Sequence, residues 1–351
     1  MSLIQKYFKY LPLEHESSIV SLGEGNTPLI RLTRIMSQWQ DDYEIFAKVE
    51  GFNPTGSFKD RGMTVALSKA KEEGAKAVLC ASTGNTSASC AAYAAKAGLK
   101  SIVLIPEGKI AQGKLAQAIM YGADIIQIKG NFDDAMTLVK DLSQRLPIAL
   151  MNSVNPHRIA GQKTAAFEII ETLGDAPDYH CLPVGNAGNI SAYWLGYQEY
   201  YQEKAAKQYP KMLGYQAEGA APFIHNKPII HPETLATAIR IGNPQSWDLA
   251  LSAVKDSVGA FGMVSDDEIL AAQKLLAEKE GIFCEPASAA SIAGLINDIN
   301  NGKIVQGTKI VCTLTGNGLK DPDIAISQCV QDFSAVQPDL SVLEARLEKS
   351  L

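Results

Sequence analysis

Runs dense in β-branched and other apolar residues recur along the chain, and between them lie longer segments whose apolar positions return every three or four residues. The first kind, at 44–49, 77–81, 101–105, 124–128, 148–151, 180–184, 212–217 and 309–314, predicts strands. The second kind predicts helices over 59–73, 85–97, 133–144, 161–172 and 189–201. Strands and helices taken in this order make a parallel sheet covered by helices on both faces, so the fold class is α/β. Ser265 and Glu268 form a capping box, Val264 and Ile269 a hydrophobic staple, and Gly281 a stop, which together predict a well-bounded helix without chemistry of its own. No internal repeat or Ser/Gly linker breaks the pattern, so two domains would share a tight interface. Segment 220–244, with four prolines and little periodicity, predicts an excursion over the surface or toward a partner.

Length and composition narrow the function. The 351 residues suit about two domains. With 46% hydrophobic and 20% charged residues, wholesale disorder is ruled out. A net charge of -6 with no basic block argues against nucleic acid and acidic membrane surfaces as partners. No apolar stretch approaches the ~20 residues that span a bilayer. Residues 1–10 carry Lys6 and Lys9 among aromatics with no signal-peptide core, so the expected location is cytoplasmic. The six cysteines form no C-x-x-C pair and no metal-ligand spacing with the five histidines, which predicts small buried hydrophobes rather than disulfides or ligands.

Four stretches rich in Gly, Asn, Ser and Thr each follow a predicted strand, at the sheet edge where open α/β folds bind ligands. In Asn53-Pro54-Thr55-Gly56-Ser57-Phe58-Lys59-Asp60-Arg61-Gly62, Ser57 reads as an N-cap that puts Lys59 in the first helical turn. The helix dipole disfavours a cation there and favours the neutral, nucleophilic amine. Ser82-Thr83-Gly84-Asn85-Thr86 offers hydroxyls and amides to a carboxylate, and Asn85 a donor to a ring oxygen. The loop Gly185-Asn186-Ala187-Gly188-Asn189 makes a phosphate cup at a helix start. Thr315 ends the last apolar strand before Gly316-Asn317-Gly318 with its hydroxyl free for a crevice. Each stretch alone has a plainer reading: a solvated lysine, a well-capped helix, a tight turn, a strand terminated by glycine.

Taken together and in this order, the four stretches resemble the fold-type II pyridoxal-phosphate enzymes, and within them the threonine synthases. The resemblance runs from Gly23-Glu24-Gly25-Asn26-Thr27-Pro28 to Asp321. Its discriminating parts are Ser82-Thr83-Gly84-Asn85-Thr86, where dehydratases usually carry His after the Asn, Asn152-Ser153-Val154-Asn155-Pro156-His157-Arg158, and Ile239-Arg240-Ile241-Gly242-Asn243-Pro244. It implies two domains, each an open, twisted, mostly parallel sheet flanked by helices. Residues 50–150 would be a small mobile domain facing the substrate, and 1–49 plus 151–351 a large cofactor-binding domain.

The resemblance also implies roles. Lys59 would anchor pyridoxal 5'-phosphate covalently and shuttle protons; Asn85 would bind the cofactor's 3'-oxygen, Gly185, Asn186, Ala187, Gly188 and Asn189 its phosphate, and Thr315 its pyridine nitrogen. Ser82, Thr83 and Thr86 would hold the amino-acid end of the substrate, and Asn152, Ser153 and Arg158 its phosphate. Glu285-Pro286-Ala287-Ser288 resembles the family's late helix start, but it reads first as a capping turn. The activity implied is that of a carbon–oxygen lyase acting on phosphate: O-phospho-L-homoserine plus water gives L-threonine plus phosphate. A homodimer is the usual state of such relatives. The nearest rival is threonine or serine dehydration on the same scaffold, which needs no second phosphate site. An NAD-dependent dehydrogenase would read Gly185 to Gly188 as a nucleotide loop and Glu218 as the ribose acid, but the full G-x-G-x-x-G spacing is missing. A non-catalytic binding module would leave Lys59 without a purpose.

Overall fold

The computed structural model describes residues 1–39, 42–107, 112–130, 132–329, 335–336 and 338–348. Ten strands run through them: β1 (Leu29–Arg31), β2 (Glu44–Val49), β3 (Ala77–Ala81), β4 (Lys100–Pro106), β5 (Asp124–Ile128), β6 (Ile148–Leu150), β7 (Tyr179–Pro183), β8 (Lys211–Ala217), β9 (Ala260–Val264) and β10 (Lys309–Leu314). The helices that matter below are α1 (Lys59–Glu72), α2 (Asn85–Ala97), α3 (Gln112–Met120), α4 (Phe132–Arg145), α5 (Pro156–Gln162), α6 (Thr164–Leu173), α7 (Gly188–Gln202), α8 (Trp247–Asp256), α9 (Asp266–Glu280) and α10 (Pro286–Asn300).

The strands form two sheets, one of six in the order β1-β2-β10-β7-β8-β9 and one of four in the order β5-β4-β3-β6. Apart from the antiparallel pair of β1 and β2, every pairing is parallel. Residue alternation along the strands puts a separate core on each face. In the small sheet Val78 and Cys80 pack with α1 and α2, whereas Leu79 and Ala81 pack with α4. In the large sheet Cys181, Cys312 and Leu314 face α9 and α10, and Leu182 and Val311 face α6, α7 and α8.

Strand order decides where a ligand goes. The direction of winding reverses between β10 and β7 in the large sheet and between β3 and β6 in the small one. At such a switch point the loops leaving the carboxyl ends part and open a crevice. Thr315 leaves β10 and Gly185 follows β7; Ser82 leaves β3 and Asn152 follows β6. The sequence stretches singled out above therefore converge on the two crevices.

Several local expectations need correction. The helix expected over 161–172 begins earlier, at Pro156, capped by the side chain of Asn155, and the chain kinks at Lys163 into α6. The short edge strands β1 and β9 carry mixed burial and no alternation that a sequence pattern reveals. Segment 220–244 is not a free excursion, because much of it lines the cleft described next. Five cysteines are buried as expected, but Cys329 is exposed; all six are free thiols. The capping box of Ser265 and Glu268 and the left-handed Gly281 bound α9 as expected, with φ +68° at the glycine.

Candidate active site

A cleft of about 1480 Å³ opens between the two sheets, lined by all of Lys59, Ser82, Thr83, Asn85, Thr86, Asn152, Ser153, Arg158, residues 185–189 and Thr315. The sequence-derived residues are thus gathered in one place, but they do not all present free groups to it.

Lys59 stands at the first position of α1, with its ammonium 4.4 Å from the centre of the Phe58 ring. The N-cap is Phe58, not Ser57, and the Ser57 hydroxyl is buried without a hydrogen-bond partner. The loop before the helix is held by Asp60, which accepts from the Thr55 N–H at 2.7 Å, the Thr55 hydroxyl at 2.6 Å and the Ser89 hydroxyl at 2.5 Å. It is also stitched to the end of β10: the Phe58 N–H donates to Thr315 O and the Asn317 N–H to Gly56 O, each at 2.9 Å. The Lys59 backbone therefore cannot move independently of Thr315. Burial first, and the charge of Arg158 second, pull the Lys59 ammonium down to about 7 against the opposing Glu285 carboxylate. The neutral amine expected from sequence is present, but burial and Arg158 produce it.

Asn85 and Thr315 share a partner that sequence reasoning passed over. The Asn85 amide donates to both carboxylate oxygens of Glu285, at 3.0 and 3.2 Å, and the Thr315 hydroxyl donates to the same group at 3.3 Å. Glu285 occupies the N-cap position of α10, with Pro286 next, but its carboxylate caps nothing and is turned into the cleft. Burial pushes it above the usual carboxylate range. Ser288 lies 2.9 Å from the Thr315 hydroxyl and accepts from the Gly316 N–H at 3.0 Å, which fixes the strand end. The neighbouring Lys320 donates to Gln117 on α3 across the mouth of the cleft.

The loop after β7 is shaped by close approach. A Cβ on Gly185 would lie 2.9 Å from Ile239 Cα, and Ala187 takes φ +65°. Asn186 is used internally: its oxygen accepts from the Gln245 N–H at 2.8 Å and its nitrogen donates to the Ser153 hydroxyl. Asn189 Nδ2 is buried and unpartnered. A donor waiting beside a helix N-terminus fits an anion in the cup.

Of the three residues expected at a second anion, Asn152 is committed elsewhere. Its oxygen accepts from the Ala81 N–H and its nitrogen donates to the Ala81 carbonyl, both at 2.9 Å, so its side chain ties the ends of β3 and β6 together. Arg158 is 1% exposed; its Nη1 donates to Met151 O at 3.1 Å, while Nε and Nη2 have no partner. Burial lowers this guanidinium to about 10, so it remains charged at neutral pH. Ser82, Thr83 and Thr86 are half-buried along the cleft wall, with Ser82 Oγ accepting from the Gly84 N–H at 3.2 Å.

A neutralised lysine, a neutral hydroxyl at a strand end and a glycine loop with an unpartnered amide fit an aldehyde that carries an aromatic ring and a phosphate. The family model described as "Pyridoxal-phosphate dependent enzyme" matches residues 20–316. The chain is 56% identical over 342 residues to the threonine synthase of Synechocystis sp., covering 97% of this chain and 89% of that protein. It is 58% identical over 325 residues to the threonine synthase of Halalkalibacterium halodurans, covering 93% and 91%. The archaeal threonine synthase of Methanocaldococcus jannaschii is 52% identical over 355 residues, covering 99% and 87%. Among solved structures, the processed form of threonine deaminase isoform 2 from Solanum lycopersicum superposes with a TM-score of 0.75 at 21% identity, covering 93% of this chain and 94% of that one. Cysteine synthase from Entamoeba histolytica gives 0.75 at 20%, covering 92% and 93%. Among the described residues no helix is long and apolar enough to cross a membrane.

Proposed function

The chain belongs to the pyridoxal-phosphate-dependent enzymes and, within them, to the threonine synthases, and from that premise we infer that its cleft converts O-phospho-L-homoserine and water to L-threonine and phosphate. The cofactor is pyridoxal 5'-phosphate. When bound it supplies an electron-withdrawing ring that makes the substrate's α and β hydrogens acidic.

The chain's own residues do the rest. The amine of Lys59, lowered so that it loses its proton near pH 7, is the covalent anchor and the group that takes and returns protons at Cα and Cβ. Thr315 offers the ring nitrogen a neutral hydroxyl, which does not hold that nitrogen protonated as a carboxylate would. Asn85 donates to the ring's 3'-oxygen, and residues 185–189 hold the cofactor phosphate. Ser82, Thr83 and Thr86 hold the substrate's carboxylate end. Ser153 and Arg158 receive the leaving phosphate, and Asn152 acts by fixing the two loops.

One observation carries the choice of a phosphorylated substrate: Arg158 is buried and charged, with two nitrogens unpartnered beside Lys59. The cofactor phosphate already has its own cup after β7, so the guanidinium fits a second dianion. Serine or threonine dehydration would leave that charge buried and idle.

The same reading treats residues 50–150 as a small domain that closes on 1–49 plus 151–351 and shuts bulk water away from the reactive β carbon. The hydrogen bonds of Gln117 with Lys320 and of Asn85 with Glu285, which span the cleft, support it. Six free thiols support a reducing, cytoplasmic setting, and the motif resemblance supports a homodimer. The deciding assay follows phosphate release and threonine formation from phosphohomoserine beside serine and threonine as alternative substrates. Equal or faster turnover of the unphosphorylated amino acids sinks the reading.

A further inference from the structure

Gln162 sits at the end of α5, four residues and one turn after Arg158, so the two side chains share a helix face. Both line the cleft. Gln162 is 4% exposed, and its Oε1 is buried with no partner; no hydrogen bond engages its Nε2 among the described residues. Native proteins rarely leave a buried carboxamide unpaired, because each lost hydrogen bond to water must be replaced. Gly62 on α1 lacks the Cβ that would lie 2.7 Å from Arg158 O and 2.9 Å from Gln162 Nε2, so Nε2 packs directly beside α1 and the Arg158 backbone.

The ligand that the free Nε2 can meet is named by its surroundings. Arg158 brings two unpartnered guanidinium nitrogens to the same face, and Lys59 stands close enough for the Arg158 charge to lower its ammonium. A group that accepts from the guanidinium, the ammonium and Gln162 Nε2 at once is a tetrahedral polyanion. The amide expected from sequence to assist Arg158 is that of Asn152, but both its polar atoms are spent on Ala81. Gln162 is the carboxamide left over with nothing to bind.

We propose that Gln162 is a specificity residue of the substrate-phosphate subsite, where its Nε2 donates to a phosphate oxygen alongside Arg158. The proposal rests on the reading of the cleft as a site for phosphohomoserine. It separates substrate phosphate from cofactor phosphate, which lies after β7 on a different strand end.

The test uses the holoenzyme of the parent, Gln162→Leu and Gln162→Glu. It measures KM and kcat for phosphohomoserine, the inhibition constant of inorganic phosphate, the affinity of the cofactor-free protein for pyridoxal phosphate, and Tm. Gln162→Leu should raise both KM and the phosphate inhibition constant on the order of tenfold, the worth of one hydrogen bond to a charged acceptor. Cofactor affinity and Tm should stay near the parent's. Gln162→Glu keeps the shape but presents an anion, so its loss should equal or exceed that of Leu; a merely structural glutamine would show its loss in Tm and leave the phosphate inhibition constant unchanged. Parent-like phosphate inhibition in both variants overturns the proposal, as does a proportional loss of cofactor affinity. In either case normal parental turnover leaves the function standing. A parent that neither consumes phosphohomoserine nor is inhibited by phosphate sinks the functional reading and this proposal with it.

Discussion

Gly161 on α5 lies against Gly62 on α1 so closely that a Cβ built on Gly161 would come 2.9 Å from Gly62 Cα and 2.0 Å from the carbonyl oxygen of Arg61. The two helices can cross at that distance only with hydrogen in both places. The crossing matters because α1 begins with Lys59 and α5 carries Arg158. Gly161→Ala should cost about 1–3 kcal/mol in chemical denaturation, as overpacking against backbone does. It should also lower kcat/KM at least about tenfold by parting Arg158 from Lys59. Parent-like stability and turnover would mean the crossing tolerates a methyl group and sets nothing.

Behind that crossing lies a buried ion network. Arg61 donates to Glu50 at 2.7 and 2.9 Å and to Glu168 at 2.6 and 2.8 Å, and Lys48 donates to Glu168 at 2.7 Å. Glu168 also accepts from the Asn26 N–H at 2.7 Å, which draws residues 23–28 into the same cluster. Burial alone would raise the Glu168 carboxyl, but Arg61 and then Lys48 overcome it and hold it far below the usual carboxylate range. Its contribution to stability is therefore present above the unfolded carboxyl pKa and is lost only as pH falls through the depressed folded value. Glu168→Ala should cost about 3–5 kcal/mol at neutral pH, since buried Lys48 loses the carboxylate it is bonded to and buried Arg61 one of its two. Urea unfolding of parent and variant checks this; a loss below about 1 kcal/mol would mean that water reaches the cluster.

The sequence patterns that proved readable are those in which local and global demands agree. β3 and β10 are buried on both faces and read as continuous apolar runs, so their bounds could be set from the chain alone. β1 and β9 lie at sheet edges, where half the residues meet solvent, and no run distinguishes them from loop. Lys59, Asn85, residues 185–189 and Thr315 were legible because each sits in a glycine- and hydroxyl-rich strand end. Glu285 was not, because its meaning comes from Asn85, 200 positions away. Read locally, a Glu-Pro pair before a helix is a capping turn, and only the fold turns its carboxylate into the cleft. Gln162 escaped for a related reason: an amide inside an amphipathic helix has no local mark that it is left unpaired.

Val258 marks a strained position outside the site. It has φ +52° at the end of α8, where the Gly259 N–H returns to Val254 O at 2.8 Å, and its side chain is 76% exposed. A β-branched residue is costly in that left-handed conformation, and no burial offsets it. Val258→Gly should stabilise the protein by about 1 kcal/mol net of the added chain entropy, raising Tm by roughly 2 °C. A lower Tm for the glycine variant in calorimetry would show that unfolded-state entropy outweighs the strain.

The reactivity of Lys59 should follow the charges around it. Its folded pKa lies near 7, below the ordinary lysine value of 10.5, so in the cofactor-free protein the amine is protonated below that pH and free to attack above it. The rate of Lys59 acetylation by a trace of acetic anhydride, read by peptide mass spectrometry against exposed lysines, should rise with pH and level off with a midpoint near 7. Arg158 depresses the pKa by repulsion and Glu285 supports it by attraction. Arg158→Leu should therefore move the midpoint to higher pH, and Glu285→Gln to lower pH. Burial is the larger cause, so neither change should restore the value of a solvated lysine. The opposite signs make the test specific, because general loosening of the site would rehydrate the amine and raise the midpoint in both variants. A midpoint near 10 in the parent would mean that water reaches the amine freely and that some group other than burial and Arg158 must activate it.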